Sequence, residues 1–144
     1  MAELYGCDRV IEIMEQILQT LQTYEKETDT MVNADLETLQ RGLIARNELI
    51  ETLDMLKDDL DGAVEYEMGE ERDLLKNLVR GSYVSVVLDD PHRRVQRLQR
   101  DISVAKQRIL DKDRVISEQF RNQHQDSRKE LEQLRQTKQK IGYY

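Results

Sequence analysis

Histidine, cysteine and clustered carboxylates are the side chains of this sequence that could do chemistry. His92 and His124 are its two histidines. They fall at opposite ends of one helical segment and cannot share a metal within one chain. His92, in "DDPHRR", stands in a first helical turn, where an exposed position is expected. His124, in "NQHQDSRKE", has Lys129 after it, as a phospho-accepting histidine would use. But Gln and Asp crowd it and no glycine cluster follows to admit a phosphate. Cys7 is the single cysteine, so it forms no internal disulfide, and it reads as a small, inert packing residue. The acidic run "EYEMGEERD" lacks the alternation of a calcium loop and reads as a solvated face. No glycine-rich phosphate loop, GxSxG or HExxH is present. The expectation is a protein that is not an enzyme and uses no cofactor or metal.

Composition points the same way. Of 144 residues, 38% are apolar, 35% charged and 5% aromatic. The charged share exceeds the roughly 25% of ordinary globular domains. That suits long helices with a thin apolar seam, in a single domain over 1–144. The N-terminal "MAELYGCDRV" is acidic and lacks an apolar run, so no secretory signal is expected. No stretch reaches the roughly 18 apolar residues of a membrane span. A reduced, cytoplasmic protein is expected.

Charge is unevenly placed. Residues 92–144 hold 14 Lys and Arg against 7 Asp and Glu, net +7. Taken from chain totals of 22 and 29, this leaves 8 and 22 for residues 1–91, net −14. The basic segment is therefore expected to lie on acidic helices. Interspersed acids and the lack of aromatics among the arginines argue against nucleic acid.

Periodicity supplies the elements. Val10, Met14, Ile17, Leu21, Tyr24, Thr28 and Met31 step by fours and threes, a heptad seam on a helix over 7–32. The phase slips at "VNADLETL", either a helix break capped by Asn33 or a stutter. Leu36, Leu39, Leu43, Ile50, Leu53 and Leu60 continue a helix over 34–61, with Gly62 as its stop. A helix over 65–80 ends at Arg80-Gly81. Residues 81–90 form a hydrophobic connector. Its Tyr83, Val84, Val86, Val87 and Leu88 read as helix continuation, as a loop folded over the bundle, or as a patch for a partner. Asp90 then stands as N-cap and Pro91 as first residue of a long helix over 91–140. Val95, Leu98, Ile102, Ala105 and Ile109 hold its seam and Lys112 interrupts it. Beyond Phe120 only Leu131, Leu134 and Ile141 remain in register, so the distal half is expected to be exposed, mobile, or ordered only by a partner. The fold class is all-α: an elongated antiparallel helical bundle or coiled coil of three to four helices with a long C-terminal helix. A homodimer is compatible with the heptads.

Two stretches resemble one family. "TYEKETDTMVNADLETLQRGLIARNELIETLDML" is similar to the first half of flagellar type III export chaperones of the FlgN kind, with FliT as a close relative. It carries Asn33-Ala34-Asp35-Leu36-Glu37 and then Arg46, Leu49, Ile50, Leu53 and Leu56 in step. "SRKELEQLRQTKQKIGYY" resembles the end of the family's last helix. About Gly62–Pro91 matches no pattern of that family. The resemblance implies a cytosolic chaperone without catalytic activity. It would hold C-terminal segments of hook–filament junction proteins, or of the filament cap, and hand them to the export gate. Carried over by position, client contacts fall on Phe120, Leu131 and Leu134, and the export-gate contact on Tyr143 or Tyr144. The alternative is a structural coiled-coil scaffold or stalk without a client.

Overall fold

The computed structural model describes the backbone of residues 6–123 and 128–143, and the side chains of residues 7–122 and 129–142. The described residues form helices only: α1 Gly6–Met31, α2 Leu36–Tyr66, α3 Gly69–Arg80, α4 Asp90–Gln123 and α5 Arg128–Tyr143. The fold is an all-α helical bundle.

Local chemistry sets the boundaries. The phase slip is a break, not a stutter: Asn33 turns with φ 57°. Asp35, not Asn33, caps α2, its Oδ1 accepting from the Thr38 N–H at 2.8 Å. Gly62 does not stop α2, which runs on to Tyr66. Leu60 and Val64 are buried on either side of it, and their packing outweighs the roughly 1 kcal/mol that a helical glycine costs. α3 therefore starts at Gly69 rather than 65. It ends as expected: Gly81 takes φ 75°, its N–H bonds the Leu78 carbonyl at 3.1 Å, and the Ser82 N–H bonds that of Asn77 at 2.9 Å. α4 is capped one residue earlier than expected, since Asp89 Oδ1 accepts from the His92 N–H at 3.0 Å.

The largest correction is at the C-terminal end. Leu134 and Ile116 belong to one buried cluster. In a single straight helix they would stand roughly 27 Å apart. α4 and α5 are therefore two helices packed together, and α5 buries its apolar face instead of standing exposed.

By proximity the described residues fall into two compact units. One joins α1 up to Gln19 with Asp54–Ser103; the other joins Thr20–Leu53 with the chain from Val104 onward. In the first, Val10, Ile13 and Met14 of α1 are buried, as are Leu60, Leu75, Leu78 and Leu98. Arg94 on α4 pairs with Glu15 on α1 at 3.1 Å. In the second, α1 and α4 run parallel: Glu25 meets Arg108 and Lys112, Asp29 meets Lys112, and Asn33 meets Gln119. These contacts bring the basic segment onto the acidic one, as the charge asymmetry predicts. Such exposed pairs select the neighbour more than they stabilise it. α5 lies parallel to α2, with Gln40 bonded to Glu130 and Arg46 to Thr137. The four helix segments of this unit thus alternate in direction.

Candidate functional site

The second unit buries an arginine at its centre. Leu39, Leu43, Arg46, Ile50 and Leu53 step by 4, 3, 4 and 3, so helical geometry places Arg46 on the apolar seam of α2. On α4, Ile109, Asp113, Ile116 and Phe120 do the same for Asp113. Both side chains are fully buried. They meet as a bidentate pair: Nη1 to Oδ1 at 2.7 Å, Nη2 to Oδ2 at 2.9 Å. Nη2 also donates to Thr137 Oγ1 of α5 at 3.0 Å. The guanidinium stacks 4.4 Å above the Tyr24 ring of α1. One arginine of α2 thus touches the three other helices of its unit.

The electrostatics follow from burial. Desolvation pushes the Asp113 carboxyl above its ordinary value, and Arg46 offsets part of the shift. Desolvation likewise pushes the Tyr24 hydroxyl up to about 12, against the pull of Arg46. That hydroxyl and Arg46 Nε make no well-formed hydrogen bond. The network is a clamp that ties α5 to the other helices of its unit. What it governs is the seat of α5.

That seat holds the expected client residues. Phe120 and Leu134 lie in the buried cluster with Met31, Leu39, Leu43 and Ile116, and Leu131 packs half-buried against it. The structure brings these three together, but inside an α4–α5 seam rather than on a free face. Tyr143 ends α5; its side chain and all of Tyr144 lie outside the described residues. Gly42 lets α1 approach α2 closely here: a Cβ there would stand 2.4 Å from Met31 Cγ.

In the first unit, the expected patch is a connector with Tyr83, Val86 and Val87 exposed and Val84 and Leu88 half-buried. It does not continue α3, which ends at Arg80. His92 is not a free end residue. Its Nε2 lies 2.9 Å from Glu71 Oε1 and its Nδ1 against Asp89 Oδ1. Burial opposes its charge, but the two carboxylates outweigh that and raise its pKa. The hydrogen bonds from His92 depress that of Asp89. A raised histidine stabilises below its ordinary 6.5 and loses this as pH rises through the folded value; a depressed aspartate stabilises above its ordinary 3.8. The melting-temperature gap between wild type and His92→Gln is therefore expected to be widest between those values and to shrink above them. A gap that grows as pH rises above 6.5 would refute this His92–carboxylate contact. Burial, with help from nearby carboxylates, pushes the Cys7 thiol up to about 12, so it is a poor nucleophile.

Among the described residues no group of three His, Cys, Asp or Glu could hold a metal, and no helix is long and apolar enough to cross a membrane. Compared with protein-family models, curated proteins and solved structures, the chain matches none.

Sequence reasoning missed the Arg46–Asp113 pair. Arg46 drew notice only as part of a family-like pattern, and Asp113 was passed over in favour of Lys112. The available signal was register: opposite charges standing on the seams of two helices expected to pack together.

Proposed function

We propose that this chain is a cytoplasmic export chaperone. It would bind the C-terminal segments of flagellar hook–filament junction proteins, or of the filament cap, and hand them to the type III export gate. One observation supports this beyond the sequence resemblance. α5 seats Leu131, Leu134, Thr137 and Ile141 on the other helices of its unit, a row spaced as the anchors of an amphipathic helix in a groove. The seat that holds α5 would hold a client helix of like spacing. Phe120, Leu131 and Leu134 line the α4–α5 seam, so the client enters as α5 lifts. Tyr143, the last residue of that helix, or Tyr144 after it makes the gate contact.

A cross-link tests it. Gln40 and Glu130 join α2 to α5 by a side-chain hydrogen bond of 3.1 Å. In a Cys7→Ser background, Gln40→Cys with Glu130→Cys is bridged by a short bismaleimide. The unbridged protein is expected to capture the C-terminal segment of the host's own junction or cap protein, and the bridged one to lose at least about tenfold in affinity. Deleting Tyr143 and Tyr144 is expected to spare client capture and weaken gate binding. A folded chain that captures none of these segments puts the scaffold reading first.

A further inference from the structure

α5 presents one polar side chain to the interior. Among its described residues Leu134, Thr137 and Ile141 are buried, and Thr137 is the polar one. Its hydroxyl is used twice. Oγ1 donates to the Leu134 carbonyl, about one turn back in the same helix, at 3.0 Å. It also accepts from Arg46 Nη2 at 3.0 Å. The first bond takes up the hydroxyl proton, so the oxygen meets the guanidinium as an acceptor. Arg46 has no substitute partner within reach of Nη2 other than Asp113, which it already holds. Nη1 goes to Asp113 and, at 3.6 Å, to the Met31 sulfur. The whole side chain is closed off from solvent. Any helix lying in this seat must therefore supply the acceptor, or an N–H of a buried cation goes unpaired.

The chemistry of that acceptor is narrow. A carboxylate would set a second negative charge beside Asp113 against one guanidinium, and the surplus charge would be buried. Asparagine brings an acceptor, but also two N–H groups that need partners of their own. Valine has nearly the shape of threonine and leaves Arg46 unpaired. Of the small side chains, serine and threonine bring an acceptor whose proton their own helix takes up. We infer that Arg46 is the specificity-determining residue of the α5 seat. The client is an amphipathic helix with aliphatic residues at the places of Leu131, Leu134 and Ile141 and a serine or threonine hydroxyl at the place of Thr137. The steps are three, three and four residues, so all four fall on one face. This rests on the reading that a client takes the place of α5, and it names which clients can. They must also be helical where they meet Arg46, because the hydroxyl proton goes to a carbonyl one turn back.

Peptides of residues 128–143, labelled at the N-terminus, are titrated into the full-length chain and followed by fluorescence anisotropy. Leu134→Ala is the host, because its own α5 is loosened; Leu131→Ala is the second host should circular dichroism show the first to lose its helices. The wild-type peptide is expected to bind, and a Thr137→Ser peptide to bind within about threefold of it. Thr137→Val, Thr137→Asn and Thr137→Asp peptides are expected to bind at least about tenfold more weakly. Threonine and valine are both β-branched, so helix propensity does not separate them. The order should vanish in a host that also carries Arg46→Met with Asp113→Leu, where the valine peptide binds at least as well as the threonine one. If the valine peptide matches the wild-type peptide in the host that keeps Arg46, or the order survives the loss of Arg46, the inference fails while displacement of α5 stands. If no peptide binds up to about 1 mM, the seat admits no added helix, and the inference falls together with entry by lifting α5.

Discussion

Asp113→Ala is expected to lower the free energy of unfolding by about 3–5 kcal/mol, because it leaves Arg46 buried without a counter-charge. The guanidinium is fully enclosed, and Asp113 takes two of its N–H groups. Thr137 and the Tyr24 ring remain, but neither carries charge. Urea unfolding of wild type and variant measures the loss. The companion double variant, Arg46→Met with Asp113→Leu, is expected to come within about 2 kcal/mol of wild type or above it, since it removes both desolvation costs together. The pair's contribution is then to specificity. A purely apolar seam would let α5 slide by a turn, whereas the bond from Arg46 to Thr137 fixes one register. Hydrogen exchange should therefore find α5 amides less protected in the double variant even where global stability is kept. A loss below about 1 kcal/mol in Asp113→Ala would mean that water reaches Arg46 and that the clamp is weaker than its geometry implies.

Where the sequence was legible, one physical signal dominated its neighbours. All seven seam residues of α1, from Val10 to Met31, are buried, because apolar spacing on a long helix has one solution. Gly81 ends α3 as expected, since only a residue free to take positive φ can close that cap. The reading failed where tertiary contacts decide. Gly62 looked like a stop, but buried Leu60 and Val64 carry the helix through it. The distal segment has few apolar residues, and apolar count alone understates its anchoring. α5 needs few apolar residues, as Arg46 supplies a polar anchor through Thr137 from a helix distant in sequence. His92 was misplaced for the same reason: Glu71, its partner, lies on another helix. The candidate site was thus half legible. Phe120, Leu131 and Leu134 pack together in the interior, a burial that the resemblance does not imply.

That burial changes what truncating the C-terminal helix should do. Leu134→Ala is expected to cost about 2–5 kcal/mol, the range for deleting a buried leucine side chain. Leu131 is half-buried, so Leu131→Ala should cost less. Were the distal segment an exposed arm, neither change would register. The cost should also be local. Among the described residues α5 is held by Leu134, Ile141, part of Leu131, the Thr137 bond and the exposed Gln40–Glu130 bond. That is a thin set of contacts beside the continuous seams of α1, α2 and α4. A helix held so thinly opens before the bundle unfolds. Hydrogen exchange by mass spectrometry separates the two cases. If α5 opens as a unit, its amides exchange at least about 30-fold faster in Leu134→Ala, the rate equivalent of the lower bound, while the amides of α1 around Leu21 keep their wild-type rate. If both accelerate together, α5 is an integral part of the bundle, and a client cannot enter by lifting it. The chaperone reading would then need another seat, which makes this exchange experiment a test of mechanism as well as of packing.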